Sequence, residues 1–222
     1  MYREKYTFSN DWFDYNTDLW AAKFAELKSR ENHALEIGSF EGASTTWLLD
    51  VLANDANSTV TAVDTFDASL LPDGTVSVEE MSDLERRFRA NVEKSNNFDK
   101  LRIRKGLSRY VLRSMANEFD SHFNFVYIDG SHRARDVLDD AVMTWPMLQD
   151  GGFMVFDDYR WHKYAEDYDN PKIAIDGFTS CYATELDILH RDFQVIVQKH
   201  PRTAPSVPSS DSGAVVIRDL DE

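Results

Sequence analysis

FNFVYIDGSHRARDVLDDAVMTWPMLQDGGFMVFDDY, residues 123 to 159, is the stretch whose reading decides the fold. Its two ends, 123 to 130 and 151 to 158, are apolar runs of strand length, rich in aromatic and β-branched residues. Between them, apolar residues at 134, 137, 138, 141, 142 and 145 recur at the spacing of one helix face, predicting a helix near 133 to 148. Strand, helix and strand in this order form the unit that lays two parallel strands into one sheet. Each strand then runs into acid: Asp129 after the first, Asp157 and Asp158 after the second. Adjacent carboxylates at the end of a buried strand either turn the chain toward water or hold something positive.

The same alternation continues upstream. HALEIG (33 to 38) precedes a helix predicted over 43 to 53, and STVTAVD (58 to 64) precedes one over 78 to 94. LRIRKG (101 to 106) precedes a helix near 109 to 118, and residues 17 to 29 form an amphipathic helix ahead of the first strand. Repeated β-α alternation implies a parallel sheet covered by helices on both faces. Downstream, a helix over 172 to 190 leads to FQVIVQKH (193 to 200), a Pro/Ser-rich loop and AVVIRD (214 to 219). Two strands joined without a helix form an antiparallel pair. The expected fold is α/β: a doubly wound, Rossmann-like, seven-stranded sheet with a terminal antiparallel strand pair. Residues 1 to 32 would be an N-terminal helical or lid segment, and 33 to 222 the main domain.

Composition narrows the function classes. The 39 acidic residues outnumber the 24 lysines and arginines, for a net charge of −15. Such a surface repels phosphate backbones and anionic lipid, so no nucleic-acid partner and no membrane partner is expected. RRFRANVEK (86 to 94) with LRIRKG is the densest basic patch, and an exposed helix face beside a sheet edge accounts for it. A single cysteine, Cys181, forms no internal disulfide and fits a reducing compartment, most simply the cytoplasm. The first residues have neither a signal-peptide nor a transit-peptide pattern.

In doubly wound sheets, ligands bind beyond the carboxyl ends of the strands. After the first strand comes LEIGSFEGAST, where Gly38 and Gly42 permit a tight turn and the following helix offers free N–H groups. The spacing is not the Gly-x-Gly-x-x-Gly of a dinucleotide loop, which argues against a nicotinamide-dependent oxidoreductase, and the strand itself carries Glu36. Asp64 ends the second strand, placed either to accept ribose hydroxyls or to cap a turn. Gly106, Leu107 and Ser108 follow the third.

Polar groups after every parallel strand, together with these glycines, resemble a class I S-adenosylmethionine-dependent methyltransferase over about residues 33 to 219. The Asp-Gly-Ser-His turn at 129 to 132, the helix, Gly-Gly and the closing Asp-Asp-Tyr resemble the small-molecule O-methyltransferases related to macrolide-sugar and cephalosporin-tailoring enzymes. PKIAIDGF (171 to 178) is similar to the next helix of that group. The resemblance implies that Glu36, Gly38, Gly42 and Ser44 bind the methionine moiety of S-adenosylmethionine, that Asp64 binds its ribose, and that Ser108 lies near its adenine. It also implies that Asp129 sits beside the cofactor and ligates a metal with Asp157 and Asp158. Ala134 departs from the group, which usually carries an aromatic there.

Strand geometry supports the metal separately. Neighbouring strand ends lie about 4.8 Å apart, so Asp129 and Asp157 can converge on one cation, and oxygen donors favour Mg²⁺ or another hard divalent ion. Successive strand side chains point to opposite faces, so both Asp157 and Asp158 reach the ion only if the backbone turns there; Asp157 is the firmer candidate. His132, three residues after Asp129, is the candidate catalytic base, or else a helix cap that orients Asp129. Aromatics at 159, 161, 164 and 168 and at 12, 13, 15 and 20 either cover a ring-shaped acceptor or pack the flanking segments and a homo-oligomer contact. The expected activity is methylation of a small hydroxylated molecule. A metal-independent enzyme using His132, and a non-catalytic methyltransferase-fold binding protein, are the alternatives.

Overall fold

The computed structural model describes residues 2 to 67 and 83 to 201. Seven strands form one sheet: β1 (His33–Ile37), β2 (Thr59–Asp64), β3 (Leu101–Lys105), β4 (Phe123–Ile128), β5 (Leu148–Phe156), β6 (Leu186–Arg191) and β7 (Val195–Lys199). Their order is β3-β2-β1-β4-β5-β7-β6, parallel except for β7, which runs antiparallel to both of its neighbours. The helices are α1 (Thr17–Lys23), α2 (Ala43–Trp47, continued by a π turn over Leu48–Leu52), α3 (Leu84–Val92), α4 (Ser108–Met115), α5 (Ala134–Thr144) and α6 (Pro171–Cys181).

Side-chain alternation along the central strands creates two cores. Phe125, Tyr127, Phe153 and Val155 face one side, where Trp20, Phe24, Trp47 and Phe88 meet them. Val126, Ile128, Met154 and Phe156 face the other, packed by α5 and α6 through Val137, Ala141, Ile175 and Phe178. All six residues of β4 are buried because both of its faces are covered.

The terminal antiparallel pair is present but built from other residues than expected. The helix read over 172 to 190 ends at Cys181, and 186 to 191 is edge strand β6, joined to β7 by a tight turn. The expected strand at 214 to 219 and the start of the helix expected over 78 to 94 lie outside the described residues. The N-terminal helix is also shorter, with α1 passing into a 3₁₀ turn over Ala25–Ser29. Among the described residues, no helix is long and apolar enough to cross a membrane.

Candidate active site

The strands end level with one another. Ile37 pairs with Val63 and Ile128, and Ile128 with Phe156, so the residues after β1, β2, β4 and β5 emerge together. The Asp129 N–H donates to the Ile37 carbonyl at 2.8 Å and the Asp157 N–H to Ile128 at 3.0 Å, carrying the ladder one residue further.

Gly38 is required by this convergence. Its φ is +85°, and a Cβ built there would lie 1.9 Å from the Asp129 carbonyl oxygen. Asp64 then organises the loop: Oδ2 accepts from the Ser39 and Phe40 N–H groups at 2.7 and 3.0 Å, and Oδ1 from Phe66 at 2.6 Å. Asp64 therefore holds the turn and also borders the cleft. Glu36 lies fully buried beneath the loop and accepts from the Ser39 hydroxyl at 2.8 Å and from Thr45. Among the described residues its Oε1 has no hydrogen-bond partner, although the Ser44 hydroxyl is near enough to act on the carboxylate. Burial pushes the Glu36 carboxyl up to about 7.

Above the strand ends opens a cleft of about 510 Å³. Gly38, Ser44, Asp64, Ser108, Asp129, His132, Asp157 and Asp158 all border it, whereas Glu36 and Gly42 sit behind its wall. Gly42, at φ +87°, starts α2 against the Phe88 ring.

The backbone turns one residue later than expected, at Asp158, whose φ is +61°. Asp158 Oδ2 thereby comes to 3.0 Å from His132 Nε2. Asp129, His132 and Asp158 each bring one potential ligand atom within 4.8 Å of the other two. Asp157 is committed elsewhere: its Oδ2 accepts from Tyr127 and from Gln194 Nε2 at 3.1 Å, and its Oδ1 accepts the Asp158 N–H at 2.8 Å. Tyr127 also reaches Asp129 at 2.9 Å, so its single hydroxyl proton serves two carboxylates.

These acids destabilise one another's charged forms. Burial, then Asp157 and Asp158, hold the Asp129 carboxyl well above the usual range. Burial and Asp158 raise Asp157 to about 6. A divalent cation would relieve this repulsion, and the carboxylate oxygens of Asp129 and Asp158 are donors that hard ions such as Mg²⁺ accept. On donor chemistry the residues fit a metal, and on the cradle around Gly38 they fit a small ligand.

Several contributors escaped the sequence reading. The Trp20 indole donates to Gln194 Oε1 at 2.8 Å, so a buried chain runs from α1 through Gln194 and Asp157 to Tyr127. Asn91 of α3 bonds the backbone of Thr7 in both directions at 2.9 Å, and Glu41 accepts the Ser9 N–H at 2.6 Å, tying the N-terminal segment across the glycine loop. Trp12 and Tyr15 of that segment border the cleft, whereas Trp20 packs into the core. Burial and the Asp157 charge raise the Tyr15 phenol above its usual range. Trp161 lies 4.6 Å, centroid to centroid, from His132, an aromatic contact in place of the one missing at Ala134. Asp140, outside the apolar stripe of its helix, is nevertheless buried at 1 % exposure, because α5 packs against both α4 and α6.

No curated protein sequence matches the chain. Among solved structures, it resembles the MycE methyltransferase of the mycinamycin pathway, in complex with Mg, SAH and mycinamycin VI. The TM-score is 0.59 at 15 % identity, over 92 % of this chain and 54 % of MycE, so the chain spans about half of that protein's length. It also resembles the O-methyltransferase TomG of Streptomyces achromogenes, solved with SAM, with a TM-score of 0.61 at 13 % identity over 82 % and 78 % of the two chains. CalS11, a TDP-rhamnose 3'-O-methyltransferase, matches with 0.55 at 18 % identity over the same shares. At these identities the likeness establishes the fold. The family model described as a methyltransferase domain matches residues 35 to 159, more than half of the sequence, and the chain belongs to that methyltransferase family.

Proposed function

We propose that the protein is an S-adenosylmethionine-dependent O-methyltransferase acting on a small hydroxylated molecule, a sugar, phenol or natural product, with a divalent cation such as Mg²⁺ at the acidic cluster. The observation that carries this is the meeting of Asp129, His132 and Asp158 at the mouth of the cleft that Gly38, Ser44, Asp64 and Ser108 border. TomG was solved with SAM, and MycE with Mg and SAH, in the same fold.

In this reading Gly38 and Ser44 receive the methionine moiety, Asp64 the ribose and Ser108 the adenine, while Glu36 and Gly42 support the loop from behind. The cofactor supplies an electrophilic methyl group, so the chain's main task is alignment. Asp129 and Asp158 would hold the cation, which when bound would lower the pKa of a neighbouring hydroxyl. Asp157 positions Asp129 through Tyr127. His132 takes the acceptor proton, oriented by Asp158. Residues 1 to 32 act as a segment that closes the cleft, with Trp12 and Tyr15 on its inner side, and exclude water. The 3.0 Å contact of His132 with Asp158 favours a second reading, a metal-independent transferase in which this pair alone removes the proton.

Calorimetry with S-adenosylhomocysteine and with NAD, each with and without Mg²⁺, tests the assignment. The homocysteine derivative is expected to bind and NAD is not; the reverse would sink the methyltransferase reading. Once an acceptor is found, a methylation rate unchanged by chelator would select the metal-independent reading.

A further inference from the structure

Arg133 and Lys163 are basic side chains at the border of the candidate cleft in an otherwise acidic molecule. Acids outnumber bases 39 to 24; several basic side chains find carboxylates, as Arg87 does with Glu41, Lys105 with Glu85 and Arg160 with Asp192, and others, such as Lys100 and Lys199, bond backbone carbonyls. Neither Arg133 nor Lys163 makes a salt bridge with a described residue, although both border a cleft that also holds Asp129, Asp157 and Asp158.

Each rests on a ring instead. The Arg133 guanidinium lies 5.0 Å from the Tyr164 centroid and the Lys163 ammonium 5.9 Å from that of Trp161. Those rings are neighbours at 4.8 Å, and Trp161 lies against His132. A ring face attracts a cation but takes up none of its strong hydrogen-bond donors. Two cations are thus held on adjoining rings, one of which packs against the candidate base, at the border of a cleft sized for a small molecule.

We infer that Arg133 and Lys163 form an oxyanion subsite, so that the methyl acceptor carries a phosphate or carboxylate group which they hold while its hydroxyl lies at His132. This rests on the methyltransferase reading and narrows its substrate class. An anionic acceptor would otherwise be repelled by the acids that border the cleft, and the two cations offset that repulsion where it is needed.

The test is calorimetry of the full chain with Mg²⁺, in the presence and absence of S-adenosylhomocysteine, titrating phenyl phosphate, benzoate and phenyl β-glucoside. An anionic probe is expected to bind about tenfold tighter than the glucoside, as two partly exposed charge pairs allow. The preference should shrink as salt is raised, and the order of phosphate and benzoate separates the two acceptor chemistries. The Arg133→Gln/Lys163→Gln double variant should lose the preference while binding S-adenosylhomocysteine as before. Equal binding of all three probes, no binding by any of them, or a preference that survives in the double variant would overturn the subsite. Failure of the unmodified chain to bind S-adenosylhomocysteine would instead count against the methyltransferase reading, with the titrations lacking it still deciding the subsite.

Discussion

A φ of +61° at Asp158 separates two adjacent carboxylates, of which the sequence reading favoured Asp157 as the metal ligand. Asp tolerates the left-handed region better than most residues, because its short polar side chain bonds locally. The turn sends Asp158 toward His132 and leaves Asp157 to Tyr127 and Gln194. Asp158→Asn keeps the turn and removes the charge, so Mg²⁺ affinity measured by calorimetry should fall tenfold or more, to about the loss of one charged ligand. Asp157→Asn should cost less, and the opposite order would return the metal to Asp157. Asp140 offers a second test at this scale. Its carboxyl is pushed up to about 7 by burial, so the native state keeps a proton that the unfolded chain releases between about pH 4 and 7. Native protein then binds more protons than unfolded protein in that window, and stability falls as pH rises through it. The distance from the ordinary 3.8 to about 7 corresponds to at most about 4 kcal/mol. Urea unfolding at pH 5 and pH 8 should show a smaller decline for Asp140→Asn than for the unmodified chain.

Among elements, the strands ending in Asp64, Asp129 and Asp157 were legible because apolar runs and the acids closing them are local features. Strand β6 was not. Its burial does not alternate, and only Leu186 of its six residues is buried, so no period of two distinguishes it from the tail of α6. Its strand state comes from hydrogen bonds donated and accepted across β7, a tertiary cause. The link from α1 to the site is equally non-local: Trp20 and Gln194 lie 174 positions apart and meet in a buried hydrogen bond. Trp20→Phe leaves Gln194 Oε1 without its donor. Guanidinium unfolding should register a loss of about 1 to 3 kcal/mol from that group alone, with the packing loss added. A double-mutant cycle with Gln194→Leu should return a coupling of about 1 kcal/mol, and independent effects would dissolve the chain.

For the whole molecule, the sheet order places four strand ends at one mouth, and the chain's net charge of −15 makes a cation there favourable. A ligand that binds only the folded state adds stability by mass action, about 2.7 kcal/mol at a hundred times its dissociation constant. For a domain of this size S-adenosylhomocysteine at that concentration should raise the melting temperature by about 5 to 10 °C. No shift, with calorimetry also silent, would deny the cofactor assignment.

Sequence by itself determined the layer architecture, the parallel strands and the order of acids along their ends, since period and punctuation are carried by neighbouring residues. It also brought Asp129 and His132 together, because three positions across one turn leave them little room to part. Only the tertiary structure decided which aspartate of the pair faces that turn, that Asp64 ties down the glycine loop, and that Asp140 is buried. It likewise placed Arg133 and Lys163 on the adjoining rings of Tyr164 and Trp161, the latter packed against His132. Each of these depends on a backbone dihedral or on partners far away in the chain, and no local pattern encodes either.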